Sequence, residues 1–389
     1  MQNNNNISNN YRKTNNNSYA TVVPLPIPSA PAVSVTNNTT KSHIRDDASN
    51  ELKAQGFTSG MIQSINQSNA VFPLRIWVVD NSGSMTSPDG HRLYQSSDNQ
   101  VKLLDCTRWA EIQNTVTYHA RMAALLNAPT SFRLLNPTYR KDAFGVAERG
   151  PEHISEDLRV ALSTIREVSP CGVTPLSDRV REIAMIIETM KEELRSKGQR
   201  VVVVLATDGL PSDQYGSSTQ WHLKEFKDAL HCLEGLPVWL VIRLCTDDDD
   251  VVEFYNNIDG QLEFSLDVLD DFLAEAKEVY EHNKWLNYAL PLHRMREMGF
   301  YHNLFDLIDE RPYTKDELPE FFQILYGPDV LDSLPDPQVD WAKFLDRIAT
   351  VTKDQKLQWN PIKKKMTPWV DIRRLDYDFS NTPTCFSCK

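Results

Sequence analysis

Long apolar runs are missing from this sequence. The longest, such as Val201 to Ala206, are far shorter than the roughly twenty residues a bilayer-spanning helix needs. The first residues are polar and Asn-rich, without the apolar stretch of a secretion signal. The expectation is a cytoplasmic protein with no membrane span. Cysteine is also scarce. Six in 389 residues, four of them isolated (Cys106, Cys171, Cys232, Cys245), make no disulfide scaffold and suit reduced thiols. Basic residues are outnumbered, with 41 Lys and Arg against 53 Asp and Glu and a net charge of -12. A general nucleic-acid binder needs clustered positive charge, so no nucleic-acid partner is expected.

Several chemical signatures are absent as well. No Gly-x-x-x-x-Gly-Lys-Ser/Thr phosphate loop and no Gly-x-Ser-x-Gly elbow occur, which removes two large enzyme classes. The nine histidines show no metal-ligand spacing. Asp247 to Asp250 lacks the Gly and terminal Glu of a calcium loop and reads as a charged helix start. Cys385-Phe386-Ser387-Cys388 has no second pair, and Lys363-Lys364-Lys365 reads as a solvated face.

What is present divides the chain into parts. Nine of the first twenty residues are Asn, and Pro, Ser and Thr follow. Such a stretch buries too little apolar surface to offset its ordering entropy, so residues 1–45 are expected to be a disordered tail. Residues 46–70 fit a short helical pair with Leu52, Phe57, Met61 and Ile65 as apolar positions. An alternating α/β pattern fills residues 71–282. Strands are predicted at Leu74 to Val79, Ser131 to Leu135, Ala143 to Ala147, Val201 to Ala206 and Val238 to Leu244. Helices are predicted over 107–127, from Ile154 to Ile165, from Leu176 to Leu194, over 221–234, from Asp247 and over 268–282. This alternation implies a doubly wound, mostly parallel sheet covered on both faces. Residues 85–104 look like a hairpin around the polar turn Ser97-Asp98-Asn99. Residues 283–389 form a Pro-rich extension, helical around 292–326 and 340–350, then basic and irregular from Lys353.

Three segments carry the chemistry: Asp80-Asn81-Ser82-Gly83-Ser84 after the first strand, Gly172-Val173-Thr174-Pro175-Leu176 at a helix start, and Thr207-Asp208-Gly209 after the strand Val201 to Ala206. Asp80 and Asp208 both follow strand ends, the rim where ligands bind in open α/β sheets. Two carboxylates brought together there repel unless a cation or a shared proton intervenes. Ser82 and Ser84 add hydroxyls on a tight turn, and Thr174 is expected to cap a helix with Pro175 at its first position. The set is two carboxylates and three hydroxyls, which suits a hard cation such as Mg²⁺ or Mn²⁺ and not Zn²⁺.

Asp80-x-Ser82-x-Ser84, Thr174 before Pro175-Leu176, and Asp208 in Thr-Asp-Gly resemble the metal-ion-dependent adhesion site of von Willebrand factor type A domains. The resemblance spans roughly residues 70–282. It implies a Rossmann-like fold with the ion on its upper rim, held directly or through water by Asp80, Ser82, Ser84, Thr174 and Asp208. The family has a second glycine before the threonine; Val173 stands there instead, a departure that touches loop shape and no ligand. The implied function is a metal-dependent protein-binding module, an intracellular adaptor or scaffold that takes an Asp or Glu carboxylate of a partner. No enzymatic activity is expected, because the motif offers no base or nucleophile beside the oxygens. The alternatives are a metal-assisted hydrolase with Asp80 as nucleophile, and a structural domain whose ion only ties loops.

Overall fold

The computed structural model describes residues 44–95, 101–138, 142–246, 248–259, 262, 266–327 and 334–380. All but two residues of the Asn-rich tail, the turn Ser97-Asp98-Asn99 and the pair Cys385 and Cys388 lie outside them.

Six strands form one sheet among the described residues. They are β1 (Leu74–Val79), β4 (Thr130–Leu134), β5 (Ala143–Val146), β6 (Val201–Thr207), β7 (Val238–Leu244) and β8 (Leu266–Leu269), in the order β5-β4-β1-β6-β7-β8. Every pairing is parallel except β4 with β5. The chain therefore steps outward from β1 to β5, returns to the free flank of β1 as β6, and steps outward again to β8. Strand order reverses between β1 and β6. All seven residues of β6 are buried, as a strand covered on both faces requires.

Helices cover the two faces. Val202, Val204 and Ala206 of β6 face a core shared with α3 (Arg108–Leu126) and α4 (Ile154–Glu167). Val201, Val203 and Leu205 face α5 (Leu176–Ser196), α6 (Gln220–His231) and α7 (Asp249–Asp259). Leu176, Val180, Ile183, Ile187 and Leu194 of α5 are buried along the stripe that their spacing predicts. Each such aliphatic side chain contributes about 1.5–3 kcal/mol by leaving water. Gly198, at φ 64°, follows the end of α5 in a conformation that suits glycine.

A third core joins the first and last parts of the described residues. Leu52 of α1 (Asp46–Ala54), Phe57, and Met61 and Ile65 of α2 (Ser59–Val71) pack with Trp285, Phe321, Phe322, Phe344 and Trp369. The C-terminal residues belong to α9 (Leu290–Glu297), α10 (Asn303–Asp306), α11 (Leu318–Tyr326), α12 (Trp341–Lys353) and the segments before, between and after them. Gly60 of α2 meets α11 so closely that a Cβ there would lie 2.4 Å from the Gly327 nitrogen and 2.5 Å from the Ile324 carbonyl. Only glycine permits that approach. The Thr58 hydroxyl donates to the Leu325 carbonyl beside it.

The third core leans on the sheet through Met122 of α3 and Ala276 and Val279 of α8 (Phe272–His282). The α9 segment touches the sheet directly. Arg75 Nε donates to the Met298 carbonyl at 3.1 Å, and Arg296 Nη2 donates to Asp267 of β8 at 3.0 Å.

Three expectations need correction. Residues 268–282 are not one helix: the edge strand β8 precedes α8, whose first turn is capped by Asp271. Asp267 hid that strand, because its charge is neutralised by Arg296, twenty-nine positions away. The second sheet strand starts at Thr130 and ends at Leu134, one residue early. The end of the chain is not irregular: β9 (Gln358–Asn360) and β10 (Lys365–Thr367) pair antiparallel, and α13 (Ile372–Ser380) buries Leu375 and Phe379.

Candidate metal centre

The β1–β6 ladder carries on one residue past β1, where the Asp80 amide donates to the Ala206 carbonyl at 2.9 Å. That bond fixes Asp80 against the end of β6, at the point where strand order reverses. Asp80 is fully buried. Its Oδ1 accepts from the Ser82 amide at 2.8 Å, and its Oδ2 accepts from the Thr207 hydroxyl at 2.7 Å. Ser82 and Ser84 hold their hydroxyl oxygens 2.9 Å apart, and Ser84 donates to Asp208 Oδ1 at 2.8 Å.

The middle segment closes over these two. The Gly83 amide donates to the Gly172 carbonyl at 3.1 Å, and the Cys171 amide to the Asn81 carbonyl at 2.7 Å. Thr174 exchanges backbone for side chain with Ser212: its amide donates to Ser212 Oγ at 3.0 Å, and the Ser212 amide donates back to its carbonyl at 2.9 Å. A Cβ on Gly209 would lie 3.9 Å from Thr174 Oγ1. All five residues expected from the sequence thus stand on three adjoining loops at one end of the sheet.

One detail differs from expectation. Thr174 does not cap α5; the capping position is Pro175, with no side-chain cap bond. Pro175 at ψ 59° turns the chain before the first helical residue, so the Thr174 hydroxyl is not spent on the helix amides. It stays available to a ligand.

Asn136 shapes the loop where Val173 replaces the second glycine. Its side chain accepts from the Val173 amide at 3.2 Å and donates to the Val173 carbonyl at 2.7 Å. Gly172, at φ 93°, passes so close that a Cβ would lie 2.4 Å from Asn136 Oδ1. Asn81 and Asn136 also pair: Asn81 Nδ2 donates to the Asn136 carbonyl at 3.0 Å, and the Asn136 amide to Asn81 Oδ1 at 2.7 Å. Valine is tolerated because the strained residue is its neighbour.

Electrostatics follow from this packing. Burial, then the charge of Asp208, push the Asp80 pKa up to about 6, against the hydrogen bonds from Thr207 and Ser82. Burial also raises the pKa of Asp208, against hydrogen bonds from Arg108 and Ser84. Arg108 Nη1 donates to Asp208 Oδ2 at 2.9 Å. Among the described residues Asp80 has no ion-pair partner.

Sequence reasoning missed Arg108 and Asn136, and it named Thr207 only as part of its segment, not as a donor to Asp80. Arg108 carried one signal: a cation in the first helical turn opposes the helix dipole, so a specific acidic partner is to be looked for.

The donor set fits a hard dication. Every side-chain donor is oxygen, two are carboxylates, and the more buried carboxylate lacks a positive partner. Two other acidic groupings stand among the described residues. In His91, Glu111 and Asp271, Glu111 is already paired with Arg243; in Glu275, Glu278 and Asp309, two of the acids are paired with Arg296. Arg296 also pairs with Asp267, so that one guanidinium serves three carboxylates.

No protein-family model matches the sequence, and no curated protein matches it. Among solved structures the chain is similar to the PilB minor pilin from Streptococcus sanguinis at 12% identity and a TM-score of 0.34. A point mutant of that pilin gives 12% and 0.35. Each likeness covers 51% of this chain and 56% of the pilin. A pilus adhesin, SpaC from Lactobacillus rhamnosus GG, is similar at 15% identity and a TM-score of 0.30, over 48% of this chain and 27% of that one. The chain thus spans just over half the length of the pilin chains it resembles.

Proposed function

We propose that residues 71–282 are a Rossmann-like von Willebrand factor type A domain, and that Asp80, Ser82, Ser84, Thr174 and Asp208 hold Mg²⁺ or Mn²⁺ to bind a carboxylate of a partner protein. The observation that carries the reading is Asp80. It is wholly buried, is approached only by neutral donors, and stands close enough to Asp208 to feel its charge. Such an arrangement is costly unless a cation shares it.

The ion would supply an electrophile at the rim with positions left for outside oxygens, since Mg²⁺ takes about six. The chain's own residues do the rest. Ser82, Ser84 and Thr174 offer neutral oxygens, which leave positive charge to attract an anion. Asn81, Asn136 and Ser212 fix the loops that carry them. A partner Asp or Glu then makes a charge-assisted contact in a partly dry rim. The proposed role is an adaptor or scaffold with no turnover of its own.

The test is a pull-down in Mg²⁺ against chelator, with Asp80→Ala as control. The expected result is a partner retained only with Mg²⁺ and only by the unaltered chain. A partner held equally in chelator and by Asp80→Ala overturns the reading.

A further inference from the structure

Arg108 occupies a built position. The β2–β3 pair (Gly90–Gln95 and Val101–Cys106) stands between the first ligand segment and α3. It closes so tightly on α3 that a Cβ on Gly90 would lie 2.8 Å from the Arg108 nitrogen. Thr107 caps α3, its hydroxyl accepting from the Ala110 amide at 3.1 Å, and the Arg108 amide donates to the Ser87 carbonyl at 3.0 Å. The guanidinium is thereby aimed at the rim. Nε and Nη2 hold the two oxygens of Asp89 at 2.7 and 2.6 Å, and Nη1 holds Asp208 Oδ2 at 2.9 Å.

Both oxygens of Asp208 are therefore engaged, one by Arg108 and the other by Ser84. A divalent ion reaching Asp208 meets a guanidinium already on that carboxylate. Two like charges on one group oppose each other. The guanidinium has somewhere to go, because Asp89 already takes two of its nitrogens in a fork.

We propose that Arg108 is a tethered internal cation that competes with the divalent ion for Asp208, and so sets the ion concentration at which the site fills. The inference rests on the metal reading given above. It differs in sign from a structural clamp. A clamp that only steadies Asp208 weakens ion binding when removed, whereas a competitor strengthens it.

The experiment titrates the full chain with Mn²⁺ alone, reading free ion by electron paramagnetic resonance, with melting in chelator as the check on folding. Arg108→Gln is expected to bind Mn²⁺ at least tenfold more tightly than the unaltered chain. Asp89→Asn, which removes the guanidinium's other partner and leaves it wholly to Asp208, is expected to bind several-fold more weakly. If the unaltered chain binds Mn²⁺ and Arg108→Gln binds equally or more weakly, the competition is overturned while the metal site stands. If Arg108→Gln does not fold, Asp89→Asn decides: unchanged or tighter binding overturns the proposal. Binding by Arg108→Gln but not by the unaltered chain supports it, and no binding by either overturns both readings.

Discussion

Glu297, wholly buried, accepts a hydrogen bond from Arg294 Nη1 at 2.6 Å, one helical turn back along α9. The same carboxylate lies 2.9 Å from His119 Nε2 of α3 and 3.4 Å from Arg243 Nε of β7. Burial alone would raise its pKa; the charges of Arg294 and His293 outweigh burial and hold it well below the ordinary value. Glu297 thus joins the C-terminal helices to the sheet by charge. Glu297→Gln leaves buried Arg294 without its anion and Arg243 with Glu111 alone, and such a loss costs about 3–5 kcal/mol. Urea denaturation should show a midpoint lowered by that free energy divided by the slope m; an unchanged midpoint would refute this account.

Mg²⁺ should raise the melting temperature, because an ion that binds only the folded chain stabilises it by about 2.7 kcal/mol at a hundred times its Kd. Asp80→Ala and Asp208→Ala should each abolish the rise. A scan of the folded chain with Mg²⁺ and with Mn²⁺ checks this, and indifference to both ions defeats the metal site.

Acid should act in opposite directions on the metal-free and loaded chains. The folded pKa of Asp80, about 6, lies above its ordinary 3.8. The folded state therefore binds a proton that the unfolded state does not, and this group's contribution to stability grows as pH falls through 6 towards 4. At neutral pH the ionised carboxylate costs the metal-free chain about 3 kcal/mol. Asp80→Asn should then melt higher than the unaltered chain in chelator at pH 7.5 and lose all response to Mg²⁺. For the unaltered chain, the Mg²⁺ response should fade below about pH 6. A lower melting point for Asp80→Asn in chelator would contradict the charge assignment.

Asn136→Ala should weaken Mg²⁺ binding without touching a ligand. It removes the side-chain bonds to both backbone groups of Val173, worth about 1 kcal/mol each. Isothermal titration should find the ion bound roughly tenfold more weakly. Equal affinity would show that the loop holds its shape without Asn136.

The parts most legible in the sequence were those governed by local periodicity. Val201 to Ala206 declared itself by six apolar residues in a row, and α5 by its steps of four and three. The three segments of the candidate site could be picked out because each follows a local rule at a strand end or helix start. What escaped depends on partners far along the chain. Asp267 looks unlike a strand residue until Arg296 is placed beside it. Arg108 looks like a surface cation until β6 brings Asp208 to it. The four apolar positions Leu52, Phe57, Met61 and Ile65 were readable as a stripe, but nothing local says that the stripe is covered by residues beyond 283.

That last arrangement bears on how the protein is made. Gly60 and Thr58 leave the ribosome early, and their neighbours Ile324, Leu325 and Gly327 follow some 265 positions later. Until then, α1 and α2 and the outer sides of α3 and α8 expose the apolar surface that those residues will cover. The nascent sheet must wait in a sticky state, at risk of pairing with other chains. A product cut short at His282 keeps every proposed metal ligand and still lacks the other half of its third core.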